Sequence, residues 1–290
     1  MLMEKIRKVF KRVGLYPHRI PSSGKYGFLG EIIGYVKIQK VYNEWRIKDQ
    51  PRLQLLKNCH KEQERCFIIG NGPSLNQMDL TLLKNETTFG VNAIFLNFDR
   101  MGFKPTYYVS VDNLVCEDRA SAINSLDGMI KFFPIASANV IKRDSDTIFM
   151  YQARPDVYPD FSTDISKNIY GGSTVTYTNM QLAYYMGFKD VYLIGMDHCY
   201  TVPEKCIINI VKKAPPEINN LEADLNHFHP DYFGPGFRWH DMSLSMDKVE
   251  AAYKKAKEVY EADGRSIYNA TAGGKLEIFP RVDYSSLFCK

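Results

Sequence analysis

The chain has 290 residues, of which 45% are hydrophobic and 24% are charged, a composition that is typical of folded globular proteins and excludes a fibre or a wholly disordered chain. No apolar run approaches the roughly 20 residues that span a bilayer, and no signal peptide is visible, so we expect a cytoplasmic protein whose six cysteines are reduced. The net charge of +4 is the sum of two unlike parts. Residues 1–62 contain 14 Lys and Arg and 5 Asp and Glu, a net charge of +9, so the other 228 residues have a net charge of −5.

The basic first part, 1–62, predicts a helical arm. Apolar residues at positions 2, 3, 6, 9, 10 and 13 leave a basic opposite face, which is the pattern of an amphipathic helix over 1–13. Further helices are expected over about 28–47 and 51–60. The 1–13 face suits an anionic membrane surface, so we expect a peripheral protein on the inner face of the cell membrane. A protein partner or plain solvation of the face are the alternatives, and the acidic body argues against nucleic acid.

The second part, 63–290, predicts one catalytic domain of alternating strands and helices. Strands are expected at 66–69, 88–91, 106–111, 129–134, 147–151, 191–195 and 266–268, and helices at 79–83, 173–186 and 246–263. Apolar strands that alternate with helices indicate an α/β fold, a Rossmann-like and mostly parallel sheet with helices on both faces. The whole chain is then this domain plus the N-terminal helical arm.

Polar side chains follow most of the predicted strands. Ligands of parallel sheets bind beyond the carboxyl ends of the strands, so repeated polar residues there favour a binding cleft, whereas ordinary turn chemistry would explain any single one. The residues at these ends are Asn71, Asn92, Asp112, Asn113, Asp197 and Asn269.

Two glycine-containing loops precede predicted helices. The first, 70–74, reads Gly70, Asn71, Gly72, Pro73 and Ser74, and it matches neither the dinucleotide fingerprint nor the Walker A loop. Its small residues and backbone N–H groups nevertheless suit a phosphate, and a tight turn is the alternative. In the second loop, 171–174, the N-terminal end of a helix offers an anion site through Gly172, Ser173 and Thr174, or the hydroxyls serve only as a helix cap.

Titratable residues elsewhere give weaker signals. Asp144 and Asp146 form a DxD pattern, but they precede a strand, whereas a metal pair in the cleft would follow one. Three histidines, His227, His229 and His240, lie in a long stretch over 226–242 that is rich in glycine, proline and aromatic residues and is typical of a lid. One of them could act as a general base, and a packed histidine is the alternative.

These motifs, in this order, resemble the bacterial sialyltransferases of glycosyltransferase family 42. The body from about 65 to 288 is also similar to the MptE-like proteins, which take their name from an archaeal 6-hydroxymethylpterin diphosphokinase, and 267–279 resembles that group most closely. The motifs are specific for the superfamily but not for one reaction. They cover 67–75, 91–92, 112–113, 171–174 and 186–197.

The resemblance to sialyltransferases implies transfer of a sialic-acid-like (nonulosonic) sugar from a CMP-activated donor to a surface glycan or glycolipid acceptor, as in lipopolysaccharide or capsule biosynthesis. The reaction would invert the anomeric centre without metal or cofactor. Asn71, Asn92 and Asp112 would contact the nucleotide, with Asn113 and Asp197 beside them. Ser173 and Thr174 would hold the phosphate or the sugar carboxylate.

The same resemblance implies the catalytic groups. A histidine would take the proton of the acceptor hydroxyl; His240 has the family's place before the penultimate helix, and His227 is its rival. Tyr200 would stabilise the departing phosphate. Two departures are visible, since the family has Asn where Asp112 stands and an Arg where this chain has 168–170.

The MptE-like resemblance implies a different reaction. A diphosphokinase would transfer diphosphate from ATP to a pterin-type alcohol with Mg²⁺, for which Asp112 and Asp197 are the available carboxylates. A third hypothesis is a module that binds a nucleotide without turnover. The sequence leaves open whether the chain forms a homo-oligomer.

Overall fold

The computed structural model describes residues 39–210 and 216–289, so the helix predicted over 1–13 lies outside the described residues. The helices are α1 (39–48), α2 (Gln50–Leu55), α3 (Phe98–Met101), α4 (Asn113–Asp118), α5 (Ala120–Asn124), α6 (Val175–Met186) and α7 (Met246–Ala262). The strands are β1 (Arg65–Ile69), β2 (Thr88–Val91), β3 (Tyr107–Val109), β4 (Ile130–Pro134), β5 (Thr147–Met150), β6 (Gln152–Ala153), β7 (Ile169–Tyr170), β8 (Asp190–Ile194), β9 (Cys206–Asn209), β10 (Glu217–Asn220), β11 (Arg238–His240) and β12 (Ser266–Asn269).

The centre of the fold is a seven-stranded sheet with the order β12-β8-β1-β2-β3-β4-β5, in which every neighbouring pair is parallel. Its strands carry continuous apolar runs, because a parallel sheet is covered on both faces. The chain runs outward from β1 to β5 and then returns to β8 on the other side of β1. The sequence prediction of a parallel α/β fold is therefore confirmed, and the change of direction lies between β1 and β8, where such sheets bind ligands.

Helix α6 is almost entirely buried in the body. Its hydroxyl and amide side chains are buried as well, including Asn179 and Gln181. Gln181 explains why a polar residue can lie there, because its Nε2 donates to Tyr170 O at 2.8 Å and its Oε1 accepts from the N–H groups of Ser162 and Tyr170. The position of α6 thus fixes the loop before it, which borders the cleft.

The described part of the arm packs into the same core as the body. Trp45 is 1% exposed and donates from Nε1 to Phe149 O at 3.0 Å. Asp49 is fully buried, accepts a hydrogen bond from Phe149 N and pairs with Arg143. The division of the chain into an arm and a body at residue 62 stays a prediction. These contacts connect the described part of the arm to the body.

Two small sheets lie outside the central one. Strands β9, β10 and β11 form an antiparallel sheet, and β6 pairs with β7. The stretch over 226–242, expected to be one long loop, therefore ends in a strand, and β9 and β10 were not predicted.

Among the described helices, none is both long and apolar enough to cross a bilayer.

Candidate functional site

A cleft of about 410 Å³ lies beyond the carboxyl ends of β1, β2, β3 and β8. Most residues that the sequence marked line it, namely Gly70, Asn71, Gly72, Asn92, Asp112, Asn113, Gly172, Ser173, Thr174, Asp197, Tyr200, His227 and His240. Ser74 and His229 are not among the lining residues. The topology thus brings together loops that are up to 170 residues apart in sequence.

The first loop is locked onto the end of β8. The N–H groups of Gly70 and Gly72 donate to Ile194 O and Gly195 O at 2.8 and 2.9 Å, and Ser74 donates to the Asp197 carboxylate from both N (3.1 Å) and Oγ (2.6 Å). A Cβ on Gly72 would lie 1.6 Å from Asp197 Oδ2, so only glycine fits. The N–H groups of Gly70, Gly72 and Ser74 are therefore used inside the protein, and the expectation that this loop binds a phosphate stays a prediction.

The second loop offers three consecutive backbone N–H groups. The N–H groups of Gly172, Ser173 and Thr174 donate no hydrogen bond within the described part of the chain. They stand at the N-terminal end of the 12-residue helix α6, where the helix dipole favours an anion. Thr174 is also the helix cap, since its Oγ1 accepts from Thr176 N at 3.3 Å. The cap and the anion site are therefore compatible at this loop.

One side of the cleft is built from strand ends. Asn71 Nδ2 donates to Val91 O at 3.2 Å and to Tyr232 Oη at 2.9 Å. Asp112 caps α4 by accepting from Leu114 N at 2.8 Å. Burial raises the pKa of Asp112, and the nearby His240 opposes part of that rise. The carboxyl of Asp112 thus holds its proton more tightly than an exposed carboxyl does.

The two histidines of the cleft are held differently. His227 Nδ1 lies 2.7 Å from Oδ2 of the buried Asp224, and its ring stacks on Tyr232 with 3.9 Å between centroids. A carboxylate on one ring nitrogen fixes the tautomer and leaves the other nitrogen as a proton acceptor. His240 lies on β11, and its Nδ1 is buried without a hydrogen-bond partner among the described residues. His227 therefore has a carboxylate partner that suits a general base, whereas Nδ1 of His240 has none among the described residues.

The third expected catalytic group, Tyr200, lies beside His227 with 6.4 Å between the ring centroids. Burial raises the pKa of Tyr200, and negative charge from Asp197 and Asp224 adds to the rise. Its hydroxyl is therefore protonated at neutral pH and can donate a hydrogen bond.

Sequence reasoning missed Asp224, Tyr232 and His198. His198 lines the cleft, and its Nε2 lies 3.3 Å from Glu250 Oε1. A signal for His198 existed, because it directly follows Asp197 at the end of β8. The other two have no such signal, since their role depends on how the chain folds back around His227.

Backbone strain is concentrated at the cleft. Four described residues other than glycine have a left-handed φ, and three of them line the cleft: Asn92 (49°), Ser173 (59°) and His198 (55°). Such conformations cost roughly 1–3 kcal/mol each and persist where the surrounding structure enforces them, which is common at functional sites.

The cleft is poor in positive charge. None of its described lining residues is Lys or Arg. Within residues 39–210 and 216–289, no group of three His, Cys, Asp or Glu side chains is arranged to hold a metal ion. Both oxygens of Asp197 accept hydrogen bonds from Ser74, and Asp112 accepts from Leu114 N, so both carboxylates named for Mg²⁺ already have partners within the protein. Asp144 of the DxD pattern does not line the cleft and pairs with the buried Lys131.

Comparison with known proteins gives a family and a distant structural similarity. No curated protein matches the chain. Among solved structures, the MAf glycosyltransferase from Magnetospirillum magneticum AMB-1 is similar, with 15% identity and a TM-score of 0.46 over 77% of this chain. The match covers 34% of that structure's chain, so this chain spans about a third of its length. The family model described as 6-hydroxymethylpterin diphosphokinase MptE-like matches residues 41–203, and the chain therefore belongs to the MptE-like family.

Proposed function

We propose that this protein is an inverting, metal-independent glycosyltransferase that moves a nonulosonic sugar from a CMP-activated donor to a hydroxyl of a cell-surface glycan or glycolipid. The observation that carries the proposal is the His227–Asp224 pair in a cleft that also contains the unpaired N–H groups of the second loop. These are the two functions that such a transfer needs, a base for the acceptor and donors for the leaving group.

In the proposed reaction, the acceptor hydroxyl attacks the anomeric carbon on the face opposite the phosphate. Its proton passes to Nε2 of His227, while Asp224 holds the Nδ1 proton. The new carbon–oxygen bond forms as the bond to the phosphate oxygen breaks, so CMP leaves with the bonding electron pair. The added charge on the phosphate is stabilised by the N–H groups of Ser173 and Thr174 and by the Tyr200 hydroxyl.

The charge of the cleft supports a CMP donor over ATP. A CMP-activated sugar carries a single phosphodiester charge besides the sugar carboxylate, whereas ATP carries about four charges, which proteins usually neutralise with Mg²⁺ and basic side chains. A described lining without Lys or Arg suits the less charged donor. The family name keeps the diphosphokinase as the second candidate, and metal-dependent release of AMP from ATP would support it.

The proposal is tested by nucleotide titration and by transfer kinetics. Purified protein should bind CMP more tightly than UMP, GMP or AMP, and no preference for CMP would rule out the donor. His227→Ala should lower kcat by about 10²–10⁴-fold with the Kd of CMP nearly unchanged. The matched control is His229→Ala, outside the cleft lining, which should keep wild-type kcat. If His240→Ala abolishes transfer and His227→Ala does not, His240 is the base.

Membrane association is a separate part of the proposal. The amphipathic pattern over 1–13 has basic residues that attract anionic lipid and apolar residues that enter the interface. Removing 1–13 should release the protein from anionic vesicles in a sedimentation assay without loss of CMP binding. Unchanged binding to those vesicles would refute this role.

A further inference from the structure

One tyrosine joins the two sides of the cleft. Tyr232 is 1% exposed, and its hydroxyl accepts the hydrogen bond from Asn71 Nδ2 at 2.9 Å. The face of the same ring lies against the His227 imidazole, with 8° between the ring planes. Tyr232 therefore contacts both the residue expected at the nucleotide and the proposed general base.

The side chain of Asn71 has an acceptor that none of the described residues uses. Its Nδ2 group donates to Tyr232 and to Val91 O, but its Oδ1 is buried and accepts no hydrogen bond within the described residues. Asn71 lines the cleft and is 8% exposed. A buried acceptor without a partner is costly, and an amino or hydroxyl group of a ligand would satisfy it.

The backbone at Tyr232 is fixed from the opposite side. Arg119 is 7% exposed and donates to the carbonyl groups of Asp231 and Tyr232. Its guanidinium also lies 3.8 Å from the ring centroid of Phe237. The backbone carbonyl of Asn71 also accepts from Phe228 N at 2.9 Å, next to His227, whereas the Asn71 side chain is linked to the imidazole through Tyr232.

We infer that Tyr232 is a positioning residue that couples ligand binding at Asn71 to the orientation of the His227 imidazole. A ligand group that donates to Asn71 Oδ1 polarises the amide and strengthens its hydrogen bond to Tyr232, because linked hydrogen bonds reinforce one another. The aromatic face is thereby held against His227 when the donor site is filled. The inference rests on the proposed role of His227, but it concerns a residue that the reacting atoms do not touch.

The kinetic test compares two Tyr→Phe variants. Tyr232→Phe keeps the ring stack and removes the hydroxyl, whereas Tyr284→Phe removes a hydroxyl that donates to Asp79 O at 2.9 Å outside the cleft lining. Tyr232→Phe should lower kcat about tenfold, the loss expected for one hydrogen bond, with less than a twofold change in the Kd of CMP. Tyr284→Phe should keep wild-type kcat. Equal kcat in the two variants would overturn the coupling and leave the proposed function intact.

A spectroscopic test separates positioning from mere structural support. Adding CMP should shift the imidazole nitrogen NMR signals of His227 in the wild type and in Tyr284→Phe, but not in Tyr232→Phe. A residue that only stabilised the fold would lower the unfolding temperature and leave this response in place. An unaltered response in Tyr232→Phe would therefore contradict the inference.

The last experiment needs neither CMP nor turnover. Asn71→Ala should shift the same His227 signals in the wild-type background and leave them unchanged in the Tyr232→Phe background, as a double-mutant comparison of coupled residues requires. Equal shifts in both backgrounds would overturn the coupling. A wild-type protein that neither binds CMP nor transfers sugar would refute the proposed function, and this last experiment would still decide the role of Tyr232.

Discussion

At the scale of single residues, Asp112 is a half-buried carboxyl at the edge of the cleft. Burial raises its pKa in the folded protein above the unfolded value of about 3.9. A raised pKa means that folding favours the protonated form, so the contribution of Asp112 to stability is complete below the unfolded pKa and is lost as the pH rises through the folded pKa. At neutral pH the ionised carboxylate therefore opposes folding.

Asp112→Asn should raise the free energy of unfolding at pH 7.5, because it removes the half-buried charge and keeps an acceptor for Leu114 N. The gain should vanish near pH 3.5, where the wild-type carboxyl is protonated. Urea unfolding of both proteins at the two pH values measures this. Asp99→Asn, a change at an exposed position, is the control and should alter stability by less than about 0.5 kcal/mol. A gain that does not depend on pH would contradict the assignment.

Residue positions in the cleft were easier to predict than residue partners. Polar residues at the ends of apolar strands, such as Asn71 and Asp197, were visible because the parallel sheet sends those ends to one edge. The pairing of His227 with Asp224 was not visible, because it depends on a turn that brings Phe233 N and the imidazole to one carboxylate. The internal hydrogen bonds of the first loop were not visible for the same reason, since Gly70 and Gly72 donate to Ile194 O and Gly195 O, more than 120 residues away.

At the scale of elements, the interlocked loops after β1 and β8 set the shape of the site. Gly72→Ala should place a methyl group against Asp197 and force the two loops apart, which should cost about 3 kcal/mol and weaken nucleotide binding. Gly102→Ala is the control, because a Cβ there meets no atom within 4 Å and only the left-handed φ of 70° is penalised, by about 1 kcal/mol. Thermal unfolding and CMP titration measure both. Equal costs would show that the loops are not locked.

Elements with a strong pattern were predicted, and elements with a weak one were not. The central strands carry apolar runs long enough to mark a buried sheet, and α6 and α7 have helical periodicity. Strand β9 was not predicted. It lies outside the central sheet, and its Ile207 and Ile208 are 51% and 55% exposed, so it shows no alternation of buried and exposed residues. Strands β6 and β7 have two residues each, too few for any pattern.

At the scale of the whole molecule, the part of the arm that the structure describes shares a core with the body. Trp45→Ala should lower the free energy of unfolding by about 3–5 kcal/mol, because it empties a fully packed site and removes the hydrogen bond to Phe149 O. The neighbouring Ile47 is 76% exposed, so Ile47→Ala should change stability by less than about 0.5 kcal/mol. Urea unfolding of the two variants measures the difference. A small effect of Trp45→Ala would mean that the arm folds separately from the body.

The lack of Lys and Arg in the described cleft lining has a kinetic consequence. Sites rich in basic side chains attract anionic ligands over a distance, and their association rates fall steeply as ionic strength rises. Above about 0.1 M salt, charges more than about 10 Å away are screened, so only the groups beside the ligand count. The association rate of CMP, measured by stopped-flow mixing, should then be nearly constant between about 0.1 and 0.5 M salt. This cleft would capture its ligand by unassisted diffusion and retain it through short-range hydrogen bonds.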